Sequence, residues 1–211
     1  MNITLRGTLP KPMAEAPPED SGVWQSDVTF DQGERCLIIG KSGCGKTTFM
    51  HMLCGMRRDY QGEVLIDGRK ATTFSTTDWA TLRAERLGLV FQDLRLFGDL
   101  TARENLALLP MNEQECPSTE EMAERIGMSP HLDHPCNQLS HGQRQRIAVM
   151  RVLLRPFDYL LLDEPFSHLD DTNVKAMTNL IEEEINRREA GLILASLEEN
   201  SPFEDLRLLR F

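Results

Sequence analysis

No apolar run in the sequence approaches the roughly 18 residues needed to cross a bilayer, so no segment is expected to span a membrane. The stretch Met1 to Pro12 mixes polar residues with two prolines and does not read as a secretory signal. The five cysteines, at 36, 44, 54, 116 and 136, form no C-x-x-C pair, and we read them as reduced thiols of a cytoplasmic protein. Positive charge is scarce. Lys and Arg number 23 against 33 Asp and Glu, and the net charge of −10 repels nucleic acid and anionic membrane, which argues against nucleic acid as a partner. No internal repeat or low-complexity segment is visible. What remains is a 211-residue chain, 40% hydrophobic and 27% charged, which suits one α/β domain with room for a small insertion.

One stretch organises the rest. Gly40-Lys41-Ser42-Gly43-Cys44-Gly45-Lys46-Thr47 fits the phosphate-loop pattern G-x-x-x-x-G-K-[ST] at every fixed position. Before it, Cys36 to Ile39 is short and apolar, as a buried strand should be. After it, Thr48 to Cys54 has no Gly or Pro and reads as a helix. Glycines let such a loop curl so that its N–H groups converge on phosphate oxygens, and the helix N-terminus adds partial positive charge. Lys46 is expected to neutralise the β- and γ-phosphates, and Thr47 to ligate Mg²⁺. Cys44 reads as a small filler, although thiol reagents at that position should block the site.

Residues 2–9 are expected to form an edge strand, residues 10–22 a Pro-rich loop, and Val23 to Phe30 a second strand. Strands follow at Glu63 to Ile66 and Leu87 to Phe91, with a helix over Thr77 to Leu87 capped by Thr77 or Asp78. Three helices are expected at Thr101 to Leu109, Ser118 to Ile126 and Gly142 to Leu154, the first two opened by capping boxes; Pro110 to Pro117 and Ser129 to Pro135 connect them. Strands at Phe157 to Asp163, Leu192 to Ala195 and Leu206 to Leu209 and a helix at Asp171 to Arg188 complete the chain. The expected fold is a P-loop NTPase α/β core with a small antiparallel β-subdomain and an inserted α-helical subdomain. Residues 1–98 and 156–211 form the core with its N-terminal β-subdomain, and residues 99–155 the insertion.

The strand Leu160-Leu161-Leu162 ends in Asp163-Glu164. A hydrophobic strand ending in Asp beside a phosphate loop is the Walker-B arrangement, in which the carboxylate holds Mg²⁺ through water. Glu164, one residue later, is placed to polarise an attacking water.

The joint order of these motifs resembles the ATP-binding cassette (ABC) ATPases. Phe91-Gln92 matches the family's Q-loop. Leu139-Ser140-His141-Gly142-Gln143 resembles the LSGGQ signature, and Ser167-His168-Leu169-Asp170 resembles the D-loop. Residues 82–92, followed by Leu100 to Asn105, look most like the cassettes of lipoprotein release, macrolide export and cell division. The resemblance implies that two cassettes, a homodimer by preference, pair head to tail around two ATP molecules. Lys46 and Thr47 of one, with Thr48 and the rest of the loop, would face Ser140, Gly142 and Gln143 of the other. Gln92 would touch Mg²⁺ and the attacking water, Asp163 would complete the metal site, Glu164 would be the catalytic carboxylate, and Asp170 would lie at the dimer interface. A separate integral-membrane permease would dock near Gln92 to Phe97, placing the cassette peripherally on the cytoplasmic face of a membrane. Leu94, Leu96 and Phe97 fit either that docking groove or ordinary core packing.

Three positions depart from the family. His141 replaces the first glycine of the signature. No aromatic residue lies in residues 1–23, where the family stacks adenine; Trp24 follows, in a position read as core. Leu197 stands where the family places a histidine, and no histidine occurs after His168. Leucine cannot hydrogen-bond, so slow ATP hydrolysis is expected; the sequence gives His168 of the D-loop no geometry for substituting across the dimer. The leading reading is an ATPase that drives a permease. The alternative is a regulatory cassette with little turnover acting on a membrane partner. A chromosome or DNA-repair ATPase lacks its long coiled coil here, and a metabolic kinase leaves the signature unexplained.

Overall fold

The run Cys36 to Ile39 is apolar at every position because both faces of its strand are covered. Leu37 and Ile39 point into one core and Cys36 and Ile38 into another, as the two-residue period of a strand requires. This computed structural model describes residues 1–18, 21–108 and 117–211. Its parallel sheet has the order β6-β7-β8-β3-β9, formed by β3 (Arg35–Ile39), β6 (Leu87–Val90), β7 (Tyr159–Asp163), β8 (Gly191–Ser196) and β9 (Arg207–Arg210). Leu160, Leu162, Leu192 and Leu194 share one core with the helices α3 (Ala102–Ala107), α4 (Thr119–Arg125), α5 (His141–Leu153) and α6 (Asp171–Arg188). Leu161, Ile193 and Ala195 share the other with α1 (Lys46–Leu53) and α2 (Thr76–Glu85).

A second, antiparallel sheet has the order β2-β1-β4-β5, from β1 (Ile3–Pro10), β2 (Asp27–Phe30), β4 (Tyr60–Ile66) and β5 (Arg69–Lys70). The fold is therefore mixed α/β with one parallel and one antiparallel sheet, as the sequence predicts. β1 is not the edge strand expected: it lies between β2 and β4, pairing Ile3 with both Phe30 and Ile66. β2 begins at Asp27 rather than Val23. Ser21 Oγ accepts from the N–H groups of Val23 and Trp24, and Gln25 has φ +59°, so residues 21–26 are a turn. β4 starts three residues early, at Tyr60, where Gly62 crosses a bulge in β1; a Cβ there would lie 2.4 Å from the Gly7 carbonyl oxygen.

The cap of α2 is Ser75, not Thr77 or Asp78; its hydroxyl accepts from Asp78 N–H, and the Asp78 carboxylate accepts from Ser75 N–H. Thr101 and Glu104 form the capping box expected for α3. Ser118 caps α4 through the N–H of Glu121. Residues 109–116, which hold Leu109, Cys116 and most of the expected connection, lie outside the described residues. α6 matches its expected span, Asp171 to Arg188, and other element ends move by one to three residues. The predicted groove residues divide: Leu94 is core, Leu96 is half-buried against it, and Phe97 is 61% exposed.

Candidate nucleotide site

β3 is an interior strand of the parallel sheet, between β8 and β9, and the loop that follows sits at the carboxyl ends of its strands, the usual ligand position in such sheets. Gly45 caps α1 with φ +106°, and a Cβ there would press on the Trp24 ring at 3.0 Å. At Gly40 a Cβ would fall 2.3 Å from Cys44 Sγ. The left-handed φ calls for glycine at 45, and a side chain at 40 would displace Cys44. Cys44 N–H donates to Lys41 O at 3.2 Å, which closes the curl, and the Cys44 side chain packs inside it.

Lys46 is nearly buried. Its ammonium donates to Gly40 O at 2.7 Å and lies 3.5 Å from Glu164 Oε1. The Thr47 hydroxyl donates to Asp163 Oδ2 at 2.7 Å, which joins the loop to the end of β7. Asp163 is 2% exposed. Burial pushes its carboxyl pKa up, against the Thr47 hydrogen bond, and the neighbouring Glu164 carboxylate pushes the same way. Glu164 takes left-handed backbone at φ +50°, held by its N–H donating to Ala195 O at 3.0 Å. Such strain costs about 1–3 kcal/mol in a non-glycine residue and collects at functional sites.

A cavity of about 300 Å³ opens over the loop. Ser42, Gly43, Gly45, Lys46, Thr47 and Thr48 bound it on one side, and Gln92, Glu164 and Leu197 on the other. Gln92 thus reaches the site as expected, and Leu197 occupies the position expected of a histidine, 52% exposed. Glu164 and Leu197 also line a larger cavity of about 470 Å³ floored by Phe166 and Leu194. Among the described residues no cluster of three or more acidic, His or Cys side chains gathers as a metal site. One buried carboxylate hydrogen-bonded to a hydroxyl that lines the cavity nevertheless suits Mg²⁺, which keeps several waters and binds through one or two carboxylates plus phosphate.

Ser140, Gly142 and Gln143 do not line this cavity. Ser140 caps α5: its Oγ accepts from Gln143 N–H at 3.2 Å, and Gln143 Oε1 accepts from Ser140 N–H at 2.8 Å. The other end of the Gln143 amide faces His131 Nε2 at 3.0 Å, so both ends are occupied within the chain. Asp170 caps α6 through Asn173, and those hydrogen bonds hold its carboxyl below the usual carboxylate range.

Three further residues support the site. Trp24 is core, as expected, but from a turn; its indole N–H donates to Cys44 O at 3.1 Å, behind the loop. Buried Asn105 donates to Phe97 O and Thr101 O and accepts from Phe97 N–H, which pins the segment after Gln92. Arg151 of α5 donates to Leu94 O at 2.9 Å and Arg95 O at 2.7 Å, two residues in left-handed backbone. The sequence signals were a lone Trp before the loop, Asn105 at the end of the stretch Leu100 to Asn105 and an Arg in the last turn of α5.

The profile of the ABC transporter family matches residues 24–167. The chain belongs to the ABC transporter family. The cassette is 31% identical over 180 residues to the lipoprotein-releasing system ATP-binding protein LolD of Psychrobacter arcticus, covering 82% of this chain and 80% of that protein. It is 36% identical over 162 residues to the macrolide export ATP-binding/permease protein MacB of a Shewanella species; that match covers 74% of the cassette but only 25% of the relative. Among solved structures, the dimeric bacterial ABC transporter cassette MJ0796 superposes with a TM-score of 0.79 at 24% identity, over 99% of this chain and 94% of that one. A post-hydrolysis dimer of MJ0796 bound to ADP and Pi superposes at 0.74 with 25% identity. The subgroup expected from residues 82–105 agrees with these relatives. No helix among the described residues is long and apolar enough to cross a membrane.

Proposed function

We propose that the cassette hydrolyses ATP at sites shared between two copies and so drives a separate integral-membrane permease from the cytoplasmic face. The observation that carries this reading is the convergence of Lys46, Thr47, Gln92 and Glu164 on one cavity, with Asp163 hydrogen-bonded beneath it. The inward N–H groups of the loop and of α1 bind the phosphates. The Lys46 ammonium, released from Gly40 O and Lys41 O, moves onto the β- and γ-phosphate oxygens. Thr47, Asp163 and Gln92 would hold Mg²⁺, which supplies charge neutralisation across the β- and γ-phosphates. Glu164 orients water for in-line attack on the γ-phosphorus. Ser140 and Gly142 at the start of α5 face the γ-phosphate of the second copy, while Gln143 acts on that helix end as a cap.

The permease reading draws on the names of the relatives, LolD of a lipoprotein-releasing system and the ATP-binding/permease protein MacB. Residues 99–155 would act as the helical subdomain that meets the permease, with exposed Phe97 at its edge. The test is steady-state phosphate release by the purified chain with MgATP, beside Glu164→Gln. Turnover that disappears in Glu164→Gln supports the reading; equal rates overturn it.

Leu197 in the cavity favours a second reading, a cassette that binds ATP and dimerises with little turnover. Under that reading Leu197→His raises phosphate release by about 10²-fold, the usual scale of a missing transition-state contact.

A further inference from the structure

The nucleotide cavity has no imidazole where the family supplies one, yet two imidazoles meet elsewhere. The rings of His141 and His168 pack in a tilted contact, with centroids 4.0 Å apart and planes at 52°. His141 is the first residue of α5, and His168 lies in the segment between β7 and α6. Their approach is built into the backbone: a Cβ on Gly142 would come within 2.9 Å of His168 O and 3.0 Å of Leu169 Cδ2. A glycine at 142 therefore lets the segment close onto the helix end.

The hydrogen bonds also orient the outer ring. Gln145, 2% exposed, donates from Nε2 to Ser167 Oγ at 3.2 Å. Ser167 Oγ also lies 2.8 Å from His168 Nδ1, and its hydroxyl proton is free to be donated there while its lone pairs accept from Gln145. A neutral imidazole that accepts at Nδ1 carries its proton on Nε2. His168 is exposed, so this arrangement sets an Nε2–H donor at the surface beside Ser140 and the N-terminus of α5. The other three histidines are engaged elsewhere: His131 with Gln143 and with the ring of His134, and His51 with Arg95.

We propose that His168, oriented by Ser167 and Gln145 and backed by the ring of His141, donates a hydrogen bond to the γ-phosphate of the ATP held by the second copy. It thereby supplies the contact that Leu197 cannot. The inference rests on the reading above, in which the start of α5 faces the ATP of a second copy. The proton stays on Nε2 throughout; the donor stabilises negative charge on the transferring phosphoryl group, and loss of one such donor typically lowers kcat by about 10²–10³-fold.

The experiment is MgATP phosphate release by the full chain and its variants. His168→Ala should lower kcat by about 10²-fold with KM and ATP-induced dimerisation of the Glu164→Gln background unchanged. Leu197→His should rescue His168→Ala. Mixed dimers locate the contact. A dimer of one Lys46→Ala chain and one His168→Ala chain keeps one intact composite site and stays active; a dimer with both changes on one chain and none on the other is inactive. The reverse pattern places His168 in its own chain's site and overturns the proposal. So does an undiminished kcat in His168→Ala, or a large gain from Leu197→His in the wild type. A wild-type rate no higher than Glu164→Gln overturns the ATPase reading first, and this inference with it.

Discussion

Removing the charge of Asp163 should stabilise the cassette whenever no metal nucleotide is present. The carboxylate is 2% exposed and its hydrogen bond comes from one hydroxyl, Thr47 Oγ1 at 2.7 Å. A hydrogen bond to a charged group contributes about 1.5–3 kcal/mol, whereas desolvating a carboxylate costs several kcal/mol. The raised pKa of the group has the same sign. Asp163→Asn keeps an oxygen for Thr47 and removes the charge, so we expect a gain of about 1–2 kcal/mol; at about 2–4 °C per kcal/mol for a chain of this size, Tm rises by about 2–8 °C. Saturating MgADP should reverse the order. A ligand at 100 times its Kd adds about 2.7 kcal/mol to the wild type, and the variant, lacking its metal ligand, gains much less. Thermal unfolding in EDTA and in MgADP measures both halves. A lower Tm for Asp163→Asn in EDTA, or equal gains in MgADP, would refute a buried carboxylate poised for a cation.

Trp24→Phe removes the indole bond to Cys44 O, so it should cost about 1 kcal/mol in urea denaturation and weaken ATP binding in a nucleotide titration. Arg151→Met leaves the Leu94 and Arg95 carbonyls without their guanidinium and should lower unfolding stability by about 2–3 kcal/mol, read in the same assay. Asp78 is held at a pKa of about 2, first by Arg69 and then by Ser75, below its ordinary 3.8. Its contribution is therefore complete above 3.8 and is lost as pH falls through about 2. Asp78→Asn should flatten that limb of the acid-unfolding curve followed by far-UV circular dichroism.

The loop Gly40 to Thr47 and the Asp163-Glu164 strand end were legible because each is a local pattern whose neighbours announce strand or helix. α6 was legible for the same reason, with Asp170 at one end and two arginines at the other. The misread elements depend on distant partners. Nothing within residues 2–9 says that β4, some sixty positions on, will pair with β1 and deny it an edge. Val23 to Phe30 reads as an alternating strand, but Ser21 bonds the N–H groups of Val23 and Trp24 into a turn. The His141–His168 contact joins residues 27 positions apart, and no local pattern foretells it.

Light scattering of the Glu164→Gln chain, with and without MgATP, tests most directly whether a second copy completes the ATP site. We predict a mass of twice the 24.0 kDa chain in MgATP. That dimer should persist in Glu164→Gln, decay as wild-type protein turns ATP over, and fail to form in Lys46→Ala. Monomers in all three chains, or a dimer indifferent to ATP and to Lys46, would contradict a shared, hydrolysed nucleotide.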